Sequence, residues 1–353
     1  MAHFRFAGMS ALATISVLFT PMSAQPCSRI VWNDNGRAVV VGRSMDWLNP
    51  MPTDLYLLPR GIKRDGMTGK NTLAWTAKYG TVTAVPSRGG ASGTADGVNE
   101  KGLAGSLLWL AESDYGKYDP DRPSLSLGLW LQYYLDNFAT VQEAVEFTEK
   151  SPPLIVTGSF DGRRVTNHLA LSDATGDTMV IEYIGGKPVI HHGKQYTVMT
   201  NSPPYDQQLK QLQQFKGFGG EKPLPGTTEA ADRFVRGAYY LNHLPKPADY
   251  RETVAGALSV IRNISAPFGE ADPARPNISA TRWRTVADLT NRIYYFESST
   301  SPNLIWVKLD GLDFSNKAGI RKIDLVKYPD RVGDVTKQFE PAKPFAVGLP
   351  DLN

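Results

Sequence analysis

The chain has 353 residues, is 41% hydrophobic and 10% aromatic, and carries a net charge of only +3. That balance fits a globular core and excludes a disordered chain, and Lys and Arg are spread too evenly to form a basic run for nucleic acid or a membrane surface. Cysteine occurs once, at Cys27, so no intrachain disulfide is available and stability must come from packing.

Arg5 opens a short basic region, Ala11 to Phe19 form an apolar stretch too short to span a bilayer, and Met22-Ser23-Ala24 is an imperfect small-residue cleavage site. Residues 1–24 therefore read as a secretory signal peptide. Gln25-Pro26 then separates the signal from Cys27, a pair that disfavours lipidation and reads as a short pro-segment removed in a second step. Export followed by trimming would leave Cys27 first, with a thiol and a free α-amino group on one residue. No later segment has the long apolar run of a membrane span, so no membrane contact is expected after processing.

From Cys27 to residue 353 the chain reads as a single domain. Ser28 to Trp32 is extended, Asn33-Asp34-Asn35-Gly36 is a turn, and Arg37 to Val41 is β-branched, so a hairpin is expected. Further strands are expected at Leu73–Ala77, Gly102–Leu110, Val165–Ser172, Thr178–Tyr183 and Tyr196–Thr200. Leu125–Glu149 has helical spacing, broken near Asn137-Phe138-Ala139-Thr140. Asp206–Phe215, Glu229–Leu244 and Arg251–Ile261 are expected helices, and Gly217–Thr227 a loop. Trp283–Asp288, Arg292–Glu297 and Leu304–Lys308 read as an antiparallel meander. The sum is a mixed α+β domain.

Metal and nucleotide chemistry find no support. The five histidines form no H-x-x-x-H pair, there is no C-x-x-C, and His191-His192 reads as a strand-end pair. No phosphate-binding glycine motif opens a helix, so no cofactor and no metal are expected.

An N-terminal cysteine suits amide hydrolysis. Its thiol titrates near about 8.5 and its α-amine near about 7.7–8.0, so the amine can take the thiol proton without a histidine. An acyl-thioester would form and water would cleave it, with positioned donors for the oxyanion. Arg43 and Asp46, in Gly42-Arg43-Ser44-Met45-Asp46-Trp47, follow the first hairpin. They are either an ordinary surface pair or a cation and a carboxylate returned beside Cys27.

Cys27-Ser28-Arg29 followed by that run resembles the opening of the choloylglycine hydrolase family, the N-terminal-nucleophile hydrolases that include penicillin V acylases and bile salt hydrolases. Asp96-Gly97-Val98-Asn99-Glu100-Lys101-Gly102-Leu103, Met199-Thr200-Asn201-Ser202-Pro203 and Asp232-Arg233-Phe234 resemble its second, third and fourth motifs. Arg284 to Leu289 and Tyr294 to Phe296 have the look of its closing meander. The resemblance implies a four-layer αββα fold and autocatalytic removal of residues preceding the cysteine. It also implies a set of roles: Cys27 the nucleophile, its own amine the base, Arg43 against the thiolate and Asp46 on the α-amino group. Asn201 would serve the oxyanion, Arg233 would complete the charged network, and a backbone N–H at about Trp109 would be the second oxyanion donor.

Trp109 stands where many bile salt hydrolases have an asparagine, and Trp47 directly follows Asp46. Both are either core tryptophans or the walls of an apolar pocket suited to a phenoxyacetyl group or a long acyl chain. The stretch from Asn201 to Arg233 is shorter than in the Gram-positive bile salt hydrolases. With the secretory signal, these features resemble the Gram-negative branch, whose members act on penicillin V and in some cases on N-acyl-homoserine lactones. That resemblance implies a periplasmic homotetramer acting on a small-molecule amide with an apolar acyl group. A conjugated bile salt hydrolase and a non-catalytic exported binding protein on the same fold are the alternatives.

Overall fold

A computed structural model of the protein describes residues 27–268, 279–301, 303–348 and 350. The expected signal peptide, 1–24, and pro-segment, 25–26, lie outside the described residues. Two large sheets lie at the centre. Among the described residues one has seven strands, in the order Val198–Met199, Cys27–Trp32, Val40–Asp46, Thr281–Asp288, Ile293–Ser298, Leu304–Lys308 and Gly333–Asp334. The other has ten, with Ala104–Trp109 and Asn167–Ser172 in its middle. The expected closing meander is present and antiparallel.

Helices cover both outer faces. α1 (Leu127–Asn137) and α2 (Val141–Lys150) pack on the ten-stranded sheet. α3 (Tyr205–Leu212) leads to α4 (Ala230–His243), and α4 and α5 (Tyr250–Asn263) pack on the seven-stranded sheet. The order helix, sheet, sheet, helix is the expected αββα sandwich. Cys27–Trp32 and Val40–Asp46 are buried throughout because both of their faces are covered.

Local chemistry places the helix starts. Thr140 accepts the Glu143 N–H at 3.2 Å, and Glu143 accepts from Ala139 N–H at 2.7 Å. Asp249 and Glu252 repeat the arrangement at the start of α5. In both, the cap side chain takes the third helical N–H while the glutamate reaches back to the N–H of the residue before the cap, and the first cap sets the start of α2 at Val141. Asn99, from the second motif, is structural: its amide donates to the Leu135 and Phe138 carbonyls and so holds the end of α1.

The first hairpin departs from expectation. Its second strand begins at Val40 and runs through Asp46, so Arg43 and Asp46 lie within the strand rather than after it. Asn35 is the cause. Its side chain donates to the Trp32 and Ala38 carbonyls and accepts from the Arg37 and Ala38 N–H groups, which prolongs the turn. Gly42 lets α5 approach: a Cβ there would sit 3.1 Å from Ile30 and 3.5 Å from Ile261.

Candidate active site

Three adjacent strands bring the motif residues to one end of the seven-stranded sheet. Cys27 pairs with Met45, Arg29 with Arg43, and Arg29 with Met199 on the other side. Cys27 therefore opens the middle strand, Met45 and Asp46 close the second, and Asn201 follows the third. Side chains alternate along each strand. Cys27, Arg29, Arg43 and Met45 face the ten-stranded sheet, whereas Ser28, Gly42, Ser44 and Asp46 face the helices.

On the helix side Arg233, from the first turns of α4, is fully buried and donates through every nitrogen. Nε bonds the Thr228 carbonyl at 2.9 Å, Nη1 the Cys27 carbonyl at 2.7 Å and the Ser28 hydroxyl, and Nη2 Asn201 Oδ1 at 2.9 Å. The Cys27 backbone nitrogen also donates to Asn201 Oδ1. Two donors on that oxygen fix which way the amide points. Asn201 Nδ2 donates one hydrogen to the Trp109 carbonyl at 2.7 Å, and its second hydrogen remains for another acceptor. Asp46 Oδ1 accepts from the Thr281 hydroxyl at 2.5 Å, and its Oδ2 is buried with no hydrogen-bond partner among the described residues.

On the sheet side Cys27 Sγ lies 3.8 Å from Met45 Sδ, which lies 3.5 Å from Arg43 Nη2. The Arg43 guanidinium donates to the Leu107 carbonyl at 3.0 Å, sits 4.5 Å over the Trp283 ring, and has Nε 3.9 Å from Asp96 Oδ2. Asp96 also accepts from Ser106, Thr285 and Tyr294. Burial pushes the Cys27 thiol above its ordinary value, with Arg43 and Arg233 pulling it down and Asp46 pushing it up. Burial likewise lifts Asp46 to about 6, against the pull of Arg233, the Thr281 hydrogen bond and two further arginines.

Cys27 opens onto a cleft walled by Met45, Trp47, Met51, Trp109, Leu127 and Phe160. This lining has the character of a site for an apolar group. Trp47 and Trp109 are both buried and both wall the cleft, with ring centroids 6.1 Å apart and planes tilted by 60°.

Residues 27–322 match the profile of the linear amide C–N hydrolases, choloylglycine hydrolase family. The chain belongs to the choloylglycine hydrolase family. It is a linear amide hydrolase. It is 43% identical to a penicillin V acylase of Pectobacterium atrosepticum, over 95% of each protein. The structure of a penicillin V acylase from Agrobacterium tumefaciens is similar with a TM-score of 0.82 and 46% identity, covering 91% of this chain and 99% of that one. A conjugated bile acid hydrolase from Clostridium perfringens, at 21% identity and a TM-score of 0.71, covers 84% of this chain and 96% of its own and shares the fold.

Beside these residues lies a group with no motif signal. Buried His168 has Nδ1 3.0 Å from Glu182 Oε1 and Nε2 2.8 Å from the Thr200 carbonyl. A carbonyl only accepts, so Nε2 carries the hydrogen. Glu182 also accepts the Tyr205 N–H at the start of α3. The pair ties the segment carrying Asn201 to the ten-stranded sheet of this choloylglycine hydrolase. His168→Gln is expected to lower stability by about 1–3 kcal/mol in denaturant unfolding, because it leaves buried acceptors short of donors. An unchanged midpoint would show that the pair bears no load. His191 and His192, at the end of Lys187–His192, face Asp206 and Asp177 instead.

Proposed function

We propose that the protein is an N-terminal cysteine acylase that cleaves the amide between an apolar acyl group and a small polar amine, with penicillin V the leading substrate and long-chain N-acyl-homoserine lactones a second. The observation that carries this is the thiol of Cys27 on the wall of a cleft lined by two indoles. In this reading export and removal of residues 1–26 free the α-amine of Cys27 in the periplasm, the pro-segment 25–26 being removed by the protein itself, and the chains assemble as a homotetramer.

The chemistry then runs as follows. The α-amine takes the Sγ proton, and Sγ bonds to the substrate carbonyl carbon. The oxyanion is held by the spare hydrogen of Asn201 Nδ2 and a backbone N–H near Trp109. The C–N bond breaks as the leaving amine takes the proton. Water, deprotonated by the same α-amine, then cleaves the thioester and releases the acid. Asp46, through its open Oδ2, holds the ammonium form of the amine. Arg43 and Arg233 offset the burial that disfavours the thiolate.

Asp46 must be ionised for this role. Activity is therefore expected to fall on the acid side as Asp46 takes up its proton, and initial rates across pH would show it. Stability should move the other way. The folded state holds the Asp46 proton more tightly than the unfolded chain, whose value is 3.8, so stability is greatest below that value and declines as pH rises to about 6. Asp46→Asn should flatten that slope in thermal melts. A wild type and an Asp46→Asn variant with the same slope would remove Asp46 from the account.

A side-by-side hydrolysis panel of penicillin V, N-acyl-homoserine lactones and conjugated bile salts tests the substrate class. Faster release of glycine or taurine from bile salts would reverse the order of substrates. Intact mass of the exported protein should show a chain that starts at Cys27. A start at Gln25 would leave the thiol without its amine and sink the mechanism.

A further inference from the structure

One side of the cleft is formed by a two-residue hairpin in which Ser159–Phe160 pairs with Arg163–Arg164. Its turn is Asp161-Gly162, with φ of 53° and 73°. Two positive φ values in succession make the type I′ turn that Asp-Gly favours. Phe160 walls the cleft and meets Trp47 edge-on at 5.6 Å.

The Asp161 carboxylate turns back into the protein. Its Oδ2 accepts from Trp47 Nε1 at 3.1 Å and Asn49 Nδ2 at 2.7 Å, and its Oδ1 accepts from Arg88 Nε. Arg88 also donates to the Pro50 carbonyl at 2.9 Å. One carboxylate thus gathers the loop after Val40–Asp46, the end of the strand Thr81–Arg88 and the hairpin. Each supplies cleft wall: Trp47 and Met51, Pro86, and Phe160. The two indoles differ in consequence. Trp47 is pinned through its nitrogen, whereas Trp109 Nε1 has no hydrogen-bond partner among the described residues.

We propose that Asp161 is a positioning residue that latches Trp47 and the Phe160 hairpin together as one rigid wall, and so selects flat aromatic acyl groups over short linear ones. The proposal rests on the acylase reading, in which the acyl group occupies this cleft. A flat ring needs a wall held at one angle, because aromatic contacts depend on geometry. A short flexible chain adapts to either state of the wall.

Asp161→Gly is the sharp test, because Gly-Gly also takes the type I′ turn while the carboxylate is lost. Loss of charged hydrogen bonds to the wall is expected to raise KM for penicillin V, and Kd for free phenoxyacetate read by tryptophan fluorescence, by about tenfold. kcat, and KM for a hexanoyl amide, should stay within about twofold of wild type, since the nucleophile is untouched. Asp161→Asn keeps the turn and one acceptor and should recover part of the loss. In a Trp47→Phe background Asp161→Gly should lose less than in the wild type, because the Trp47 hydrogen bond is already gone and only those of Asn49 and Arg88 remain to be lost. Unchanged KM and Kd for the phenoxyacetyl ligands would overturn the latch. So would equal losses on both acyl groups with a lower melting temperature, which would make the hairpin mere scaffold. A wild type that releases no acid from either amide would take down the acylase reading instead, and phenoxyacetate binding alone would then decide the latch.

Discussion

Cys27→Ala is expected to reduce acid release from penicillin V by roughly 10⁴-fold or more, since removing a nucleophile leaves only binding and oxyanion stabilisation. The fold should survive. Cys27 is buried, but its sulfur contacts chiefly Met45 Sδ at 3.8 Å and the Asp46 carbonyl at 3.9 Å. Deleting one atom there costs about 1 kcal/mol in lost contact and residual cavity. Rate and thermal melt must therefore separate: activity gone, midpoint moved by a few degrees. Cys27→Ser keeps a small polar group at the same place but offers a weaker nucleophile, so its rate should also collapse. Residual activity of Cys27→Ala within tenfold of wild type would remove Cys27 from the chemistry.

The second large effect is expected at Arg233, where one side chain serves both stability and charge. Arg233→Ala strips donors from the carbonyls of Thr228 and Cys27, from Ser28 Oγ and from Asn201 Oδ1 at once. It also leaves buried Asp46 without its strongest opposing cation. Breaking such a buried network from one side costs about 3–5 kcal/mol. Activity should fall by up to about 10²–10³-fold, the scale of one lost oxyanion donor, because Asn201 loses one of the two bonds that orient its amide. Removing the cation raises Asp46 further and raises the thiol as well, so the acid limb of the rate profile must move to higher pH. Arg233→Lys keeps the charge without the planar fork, so it should hold the limb in place while still losing rate. A rate drop with no shift of the limb would show that Arg233 acts on position alone. Denaturant unfolding and rates measured across pH give both readouts.

Much of the frame was legible along the chain because it depends on local chemistry. The helical spacing of Leu125–Glu149, and its break, coincide with α1, α2 and the Thr140 cap on the Glu143 N–H. The closing meander announces itself through its aromatic and β-branched runs. Other elements were hidden for equally local reasons. Thr81–Arg88 contains Pro86, which by itself argues against a strand, yet it pairs on both sides within the ten-stranded sheet. The late start of Val40–Asp46 came from the side chain of Asn35, a choice that spacing does not reveal.

The sequence by itself determined the set of groups: a single cysteine, the arginines, the carboxylate and the amide, in motif order. Their order along the chain carries that information because each motif is a short contiguous string. Only the tertiary structure decided how they work together. Cross-strand register put Asn201 beside Cys27 and sent the thiol to the cleft and Asp46 to the helix side. Packing made Trp47 and Trp109 buried and cleft-facing at once. Asp161, His168 and Glu182 carry no motif, because each acts on a partner far along the chain, and such contacts exist only once the sheets have closed.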